Sequence, residues 1–589
     1  MTDAPDDDGA EREKLDARIA FVAAAFILAF SFVLLLDRVG APSAFVEALA
    51  PCLAIVSLAA LGAALHSMRV SFYYTAGRGA PPEYAGFAKA ALVAGFMAPF
   101  AAWLASRSWL IGLCGGLFAG VALAGWQLGP MLRKSGAFSL SGLLAVRFPG
   151  LWPRVAVIAL ECATSALVAL AAQQSAVDAL VGASGAGPGL AAVIVGAGML
   201  FIAGPGGMFG SIWTACAAGA VALASLCWPA LTLALRGVAP FGRSSGSLAR
   251  EAAAQLEAWG AVAPFPGYGL EFMAVVGAAL GAAVLAPLLA PAITTARPAQ
   301  ARVSGLFALG WTFVFAWLLA AIVAGTALSM TAKSVGQAPE RLPGAVYAAS
   351  SRGLVAVCGD KAPDPQSARR ACAARGLAPG AGLRTQDFSL TRSFLLTGLA
   401  DLEKLGAAAS GLLAAAQIAL ALALGAAGLQ AFGTALGHEA LYRMRGETDL
   451  TSRRLATTRL ALVSIAALGS AASAYGLFDP RQLLELALGL SAAAVAPLAI
   501  LAFWTRADGR DAMIALGSGL VGTILVVGAA GGPADIELVS AAAAVGALLG
   551  LAAGALSALS RPAGPQESKA FVSRLLRGEG DVMSPDKGA

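Results

Sequence analysis

Charge is scarce in this chain. Asp, Glu, Lys and Arg make 13% of its 589 residues, and His66 and His438 are its only histidines. No nucleophile stands beside a base and no glycine-rich phosphate loop is present, so an enzyme has nothing to work with. The seven cysteines follow no zinc-site spacing, and neither metal nor cofactor is expected. Behind the charged head MTDAPDDDGAEREKLDAR the first apolar run has no small-residue cleavage site, which argues against a removable signal peptide. The net charge of +6 comes from basic residues gathered in short loops on one side of the apolar runs, so no nucleic-acid partner is expected.

Apolar surface is plentiful instead. Hydrophobic residues make 58% of the chain and the mean hydropathy is positive, more apolar surface than a soluble core can hide. The expected fold class is an all-α polytopic membrane protein, with the lipid bilayer as its first partner. Runs long enough to cross a bilayer predict about fourteen transmembrane helices. They lie near 19–36, 46–66, 84–105, 109–131, 154–178, 189–204, 211–235, 270–292, 304–328, 405–434, 457–477, 482–504, 511–530 and 535–558. An even number puts both termini on one side. Most Lys and Arg of the short loops share that side, which makes it cytoplasmic and the location the bacterial inner membrane. Loops 236–269 and 332–404 then face outward, the first with a short amphipathic helix at EAAAQLEAW; the tail holds another at KAFVSRLLR. Cys358 and Cys372 share the longer outward loop, where a disulfide is expected, with two free thiols as the alternative. The other five cysteines lie in apolar runs.

Two spans half a chain apart are interrupted: 84–105 by Gly86, Gly95 and Pro99, and 270–292 by Gly277, Gly281, Pro287 and Pro291. A proline inside a helix frees a carbonyl, which lipid tolerates only where protein, water or a solute takes it up. Interrupted spans at matching places in two halves point to a secondary transporter with its solute near the midplane.

Five segments in order resemble the sodium:solute symporter family, most closely its acetate and short-chain monocarboxylate branch. They are FYYTAGR (72–78), GWQLGPMLRKSGAFSLSGLLAVRF (125–148), GGMFGSIWT (206–214), GAAVLAPLLAPAITTARPAQARVS (281–304) and LGHEALYRM (436–444). The resemblance implies a five-plus-five inverted-repeat core with broken first and sixth core helices. The domains are then 1–66, a head and two leading helices; 67–235, the first repeat; 236–269, an outer loop; 270–504, the second repeat with loop 332–404; 505–558, two trailing helices; and 559–589, a tail. It also implies uptake of a small organic solute, a monocarboxylate-like anion, driven by a cation through alternating access. This sequence differs at the family's working positions. Ala423 and Leu424 replace paired hydroxyls of the sodium site, Ala286-Pro287 and Pro291 replace a Pro-His and an Arg, and Leu92-Val93 and Gly95 replace an Asp-Trp and a Ser. Sodium needs oxygen ligands that two apolar side chains lack.

The candidate residues follow. Lys89 puts an ammonium one turn inside the first interrupted helix, where a charge costs roughly 3 kcal/mol. Either its stem snorkels to the interface, or with Ala91 it takes the sodium ion's place and carries a proton. Glu161, at similar depth, is either a structural acid or a proton-coupling group. Ala94, Gly95, Ala98 and Gly281, near the half-helix ends, are expected to bind solute through freed backbone groups, and Gln173 through its amide. The competing reading of Gln173, Gln174, Gln417 and Gln430 is that amides join helices. Glu271 suits capping of its helix. The coupling ion is sodium or a proton. The alternative function is a transport-silent sensor or partner subunit on the same fold.

Overall fold

The computed structural model describes residues 6–106, 113–237, 245–262, 267–378, 380–444, 450–532, 536–561 and 566–577. Among the described residues eleven helices are long and apolar enough to cross a membrane, twelve with a bent pair. In chain order the elements used below are α1 (Asp6–Val39), α2 (Ser43–Ala64), α3 (Pro82–Ser106), the short α4 (Leu140–Arg147), α5 (Leu151–Ser184) and α6 (Pro188–Leu235). There follow α7 (Tyr268–Val284 with its continuation Ala286–Thr294), α8 (Pro298–Ser334), α9 (Arg392–Leu402) and α10 (Ala407–Tyr442). The chain continues through α11 (Thr451–Ala474), α12 (Pro480–Ala502), α13 (Gly509–Ala529), α14 (Ile536–Leu559) and α15 (Gln566–Arg577).

The count differs from the expected fourteen for two reasons. The runs at 189–204 and 211–235 join in the 48-residue α6, whose helical geometry fails only at Gly207 (φ 58°, ψ −136°). The span near 109–131 begins outside the described residues, and its described part is divided into Leu113–Leu123, a wide π-turn at Ala124–Leu128, and Gly129–Ser135.

Burial orders the bundle. Side chains of α10 are buried on every side, and α3 nearly so, while α1 shows little but exposed surface. A helix apolar all round is an interior one, so α3 and α10 form the axis on which α2, α5, α6 and α8 pack. Small residues set the spacing: a Cβ on Gly428 of α10 would meet Ala169 N of α5 at 2.9 Å, and one on Gly86 of α3 would meet Ser304 O of α8 at 2.5 Å.

Outside the apolar slab, 335–402 folds into a cap. Strands β1 (Val355–Val357) and β2 (Phe388–Leu390) pair antiparallel, with Ala356 opposite Ser389. A disulfide joins Cys358 to Cys372, with Cα atoms 5.1 Å apart, and Tyr347, Val355, Leu383 and Phe394 fill a small core. The amphipathic helix in the other loop is Ser245–Ala258, burying Ala252 and Leu256. At the opposite end α15 lays Phe571, Val572 and Leu575 against Leu132, Leu144 and neighbours.

Candidate functional site

The two interrupted spans behave unequally. In α3 the residues around Pro99 tighten into a 3₁₀ turn, Ala98–Phe100, with helical torsions throughout, and the Ala98 amide donates to the Ala94 carbonyl. The free amides expected near Ala94 and Ala98 are therefore used up, because proline at this position only shortens the hydrogen-bond step. In α7 the chain truly opens. Leu285 is extended (φ −66°, ψ 113°) and the axis turns by 65°. Pro287 has no N–H to return to the Ala283 carbonyl. Beyond the break, Ala286–Leu289 packs against α3, α5 and α10 at the bundle centre.

Around this break the candidates separate. Gly95 presses on Leu420 of α10, and Gly281 on α12, where an added Cβ would lie 2.5 Å from the Leu488 carbonyl oxygen. These glycines close seams between helices and line no opening. Ala91 faces Gly219 of α6, and Ala94 is fully enclosed. Ala423 and Leu424 are buried as well and supply no oxygen. Gln173 donates to Ser470 Oγ at 2.8 Å and to the Ala466 carbonyl at 3.4 Å, tying α5 to α11 away from the break. Gln430 donates to the Tyr73 carbonyl at 3.1 Å and Gln174 to Asp178 at 2.7 Å. Gln173 and Gln430 thus join separate elements, and Gln174 bonds within α5. Gln417 is also buried, its Oε1 without a hydrogen bond. Glu271 is buried in the first turn of α7.

Lys89 is 3% exposed and among the described residues its Nζ has no hydrogen-bond partner. At 100° per residue it projects between the faces marked by Gly86, toward α8, and Gly95, toward α10. The ammonium is enclosed by protein rather than open to solvent. No ion pair joins it to Glu161 among the described residues.

Glu161, 6% exposed, belongs to a second cluster. Ser139 caps α4, accepting from the Gly142 amide at 3.0 Å, and the next free amide of that helix, Ser141 N, donates to Glu161 Oε2 at 2.7 Å. A second carboxylate, Glu439, 1% exposed, sits on the other side of the same helix end. It accepts from Ser139 Oγ at 3.2 Å, and Gly142 leaves the room it fills. Arg443 reaches Glu439 at 3.3 Å and His438 Nε2 lies 3.7 Å from it. Glu439 also acts electrostatically on Glu161. His438 and Glu439 share a π-helical stretch, Thr434–Tyr442, whose wider turn brings both inward. Arg454 lies over Tyr74 and Tyr442, and Tyr74 bonds Thr458 at 2.7 Å, completing a tie across one end of the bundle.

The other end carries its own tie. Arg392 of α9 grips both oxygens of Asp479, the cap of α12, at 2.5 Å each. Burial would push the Asp479 carboxyl up, but the Arg392 guanidinium and its hydrogen bonds hold it below the ordinary aspartate range. Arg481 stacks over Trp103 at the end of α3. Each tie leaves one local signal in the sequence, a serine ahead of an apolar run and an Asp-Pro helix start, but not its partner, about 300 and 87 residues away.

Neither a protein-family profile nor a curated protein matches this sequence. Among solved structures, a Na+-coupled sialic acid symporter in a substrate-bound outward-open state is similar over 89% of this chain and 98% of its own, with a TM-score of 0.64 at 15% identity. A nucleobase-cation-symport-1 family transporter, closed with bromovinylhydantoin bound, matches over 88% of this chain and 98% of its own, at 0.45 and 15%. A manganese transporter of Eremococcus coleocola matches over 85% and 94%, at 0.40 and 14%. The first likeness shows the fold: this chain shares the multi-pass, mostly helical architecture of that symporter.

Proposed function

We propose that the protein is a secondary active transporter that moves a small organic solute, a monocarboxylate-like anion, by alternating access, with a proton as the driving ion. The repeats are 67–235 and 270–504, and the membrane is a bacterial inner membrane with both termini cytoplasmic. The observation that carries this reading is the opened backbone of α7 at Leu285, held at the bundle centre against α3, α5 and α10 and flanked at either end by a polar tie. A break of this kind offers main-chain groups to a solute at mid-depth. Favouring the proton over sodium are the apolar Ala423 and Leu424, the buried unpartnered Lys89, and the carboxylates Glu161 and Glu439 around one helix end.

The test is uptake of radiolabelled acetate and pyruvate into proteoliposomes under separately imposed proton and sodium gradients. Accumulation under the proton gradient alone is expected. Accumulation under sodium alone moves the coupling to sodium, and equilibration without accumulation reduces the protein to a facilitator. A second reading, a transport-silent solute sensor or partner subunit, is favoured by the tight seams at Gly95 and Gly281; it takes over when neither gradient drives any uptake.

A further inference from the structure

A cleft of about 640 Å³ lies between α1 and α6, with α3 and single residues of α2 and α10, Leu61 and Leu412, also lining it. The α1 wall carries Val22, Phe26 and Phe30 at four-residue spacing, one stripe of a helix. The α6 wall is hollowed by Ala220 and Ala224 between Trp213 and Trp228, so the absence of large side chains makes the space. Phe87 of α3 is at its floor. The opposite stripe of α1 is also apolar and outward, with Phe21, Leu28 and Leu35 more than half exposed. Around the cleft α1 thus has apolar surface front and back, while farther along Val33 packs fully buried beside Val46 and Ala50 of α2.

Water has too few partners in such a cleft to stay there, and an empty gap forfeits the dispersion contacts of its lining. A hydrocarbon chain from the bilayer meets both conditions. One mouth is marked by Arg18, exposed and with no hydrogen bond or ion pair at its side chain among the described residues. Asp16, two residues earlier, is 200° round the helix and does not line the cleft. We propose that α1 and α6 hold a phospholipid, an anionic one by preference, with an acyl chain between the helices and the headgroup phosphate on Arg18.

The test is native mass spectrometry of the delipidated full chain in detergent, titrated with phosphatidylglycerol or phosphatidylcholine of identical chains. One tightly held phosphatidylglycerol is expected, with phosphatidylcholine about fivefold weaker, the ratio that ~1 kcal/mol per basic residue gives. Arg18→Gln should bring the two lipids level, and Ala220→Trp with Ala224→Trp should remove the tight site for both. Because a filled cleft can shift α1, a second measurement uses the unfilled protein: acyl-brominated phosphatidylglycerol should quench a tryptophan fraction that is missing from Trp213→Phe/Trp228→Phe. Equal affinity for the two lipids in the parent chain, an unchanged tight site in the filled variant, or quenching untouched by the double Phe variant overturns the proposal. So does recovery of a stable dimer in place of bound lipid, which would make the cleft a helix-docking seam.

Discussion

Gly95 and Leu420 stand closer than any side chain permits, for a Cβ on Gly95 would lie 2.5 Å from the Leu420 carbonyl oxygen. The seam between α3 and α10 is therefore closed by hydrogen alone. Gly95→Ala should push these axial helices apart and cost about 1–3 kcal/mol, read as a lower melting temperature in detergent. Gly310→Ala on α8, with nothing within 4 Å of the new methyl, should melt no lower than the parent.

Lys89 predicts a split between stability and transport. A buried donor without a partner costs roughly 1–3 kcal/mol, more when charged, so Lys89→Met should raise the melting temperature. If the ammonium serves coupling, the same variant should lose proton-driven accumulation. A stabilised variant with unchanged accumulation would leave Lys89 without a part in the cycle.

Glu161 and Glu439 share one helix end yet should respond differently. Glu161→Gln retains an acceptor for the Ser141 amide, so the fold should hold while the pH dependence of uptake flattens. Glu439→Gln also strips Arg443 of its carboxylate and should cost about 1–3 kcal/mol. Gly142→Ala should mimic it by displacing that carboxylate. Thermal melts beside pH profiles of uptake separate the three.

Asp479 carries a pH prediction with a fixed sign. Its folded value lies below the ordinary one, so the tie to Arg392 is fully present above ~3.9 and fades as pH falls through the folded value. The difference in melting temperature between the parent and Asp479→Asn should stay level from about pH 8 to 5. Below about pH 4 it should close. A gap that closes near neutrality would mean that Asp479 is not the group responsible.

The Cys358–Cys372 bridge closes a short loop, with a sequence separation of 14. Such a loop contributes about 3 kcal/mol. Reduction, or Cys358→Ser with Cys372→Ser, should loosen the cap alone. Limited proteolysis should then cut within 335–402 while the spans stay protected.

Run length and composition made the membrane class legible, because each span must satisfy its own backbone and so records itself locally. The opening at Leu285 was legible too, since Pro287 removes a donor wherever it falls. Pro99 misled for the reason that a proline near a helix's tightened turn needs no break. Gly95 and Gly281 read as openings in sequence, whereas only their neighbours, Leu420 and Leu488, reveal them as points of contact. The Glu161–Ser141 and Glu439–Ser139 pairs and the cleft beside α1 arise from tertiary approach, which no window of adjacent residues contains.

The break in helical geometry at Gly207 keeps α6 from being one straight rod. Forty-eight residues in one straight rod would measure about 72 Å, more than twice a hydrocarbon core of about 30 Å. Gly207 meets the Tyr73 carbonyl oxygen at 2.3 Å from its would-be Cβ and takes a torsion pair that L side chains rarely adopt. A residue without a side chain is thus the point at which the two runs of α6 part.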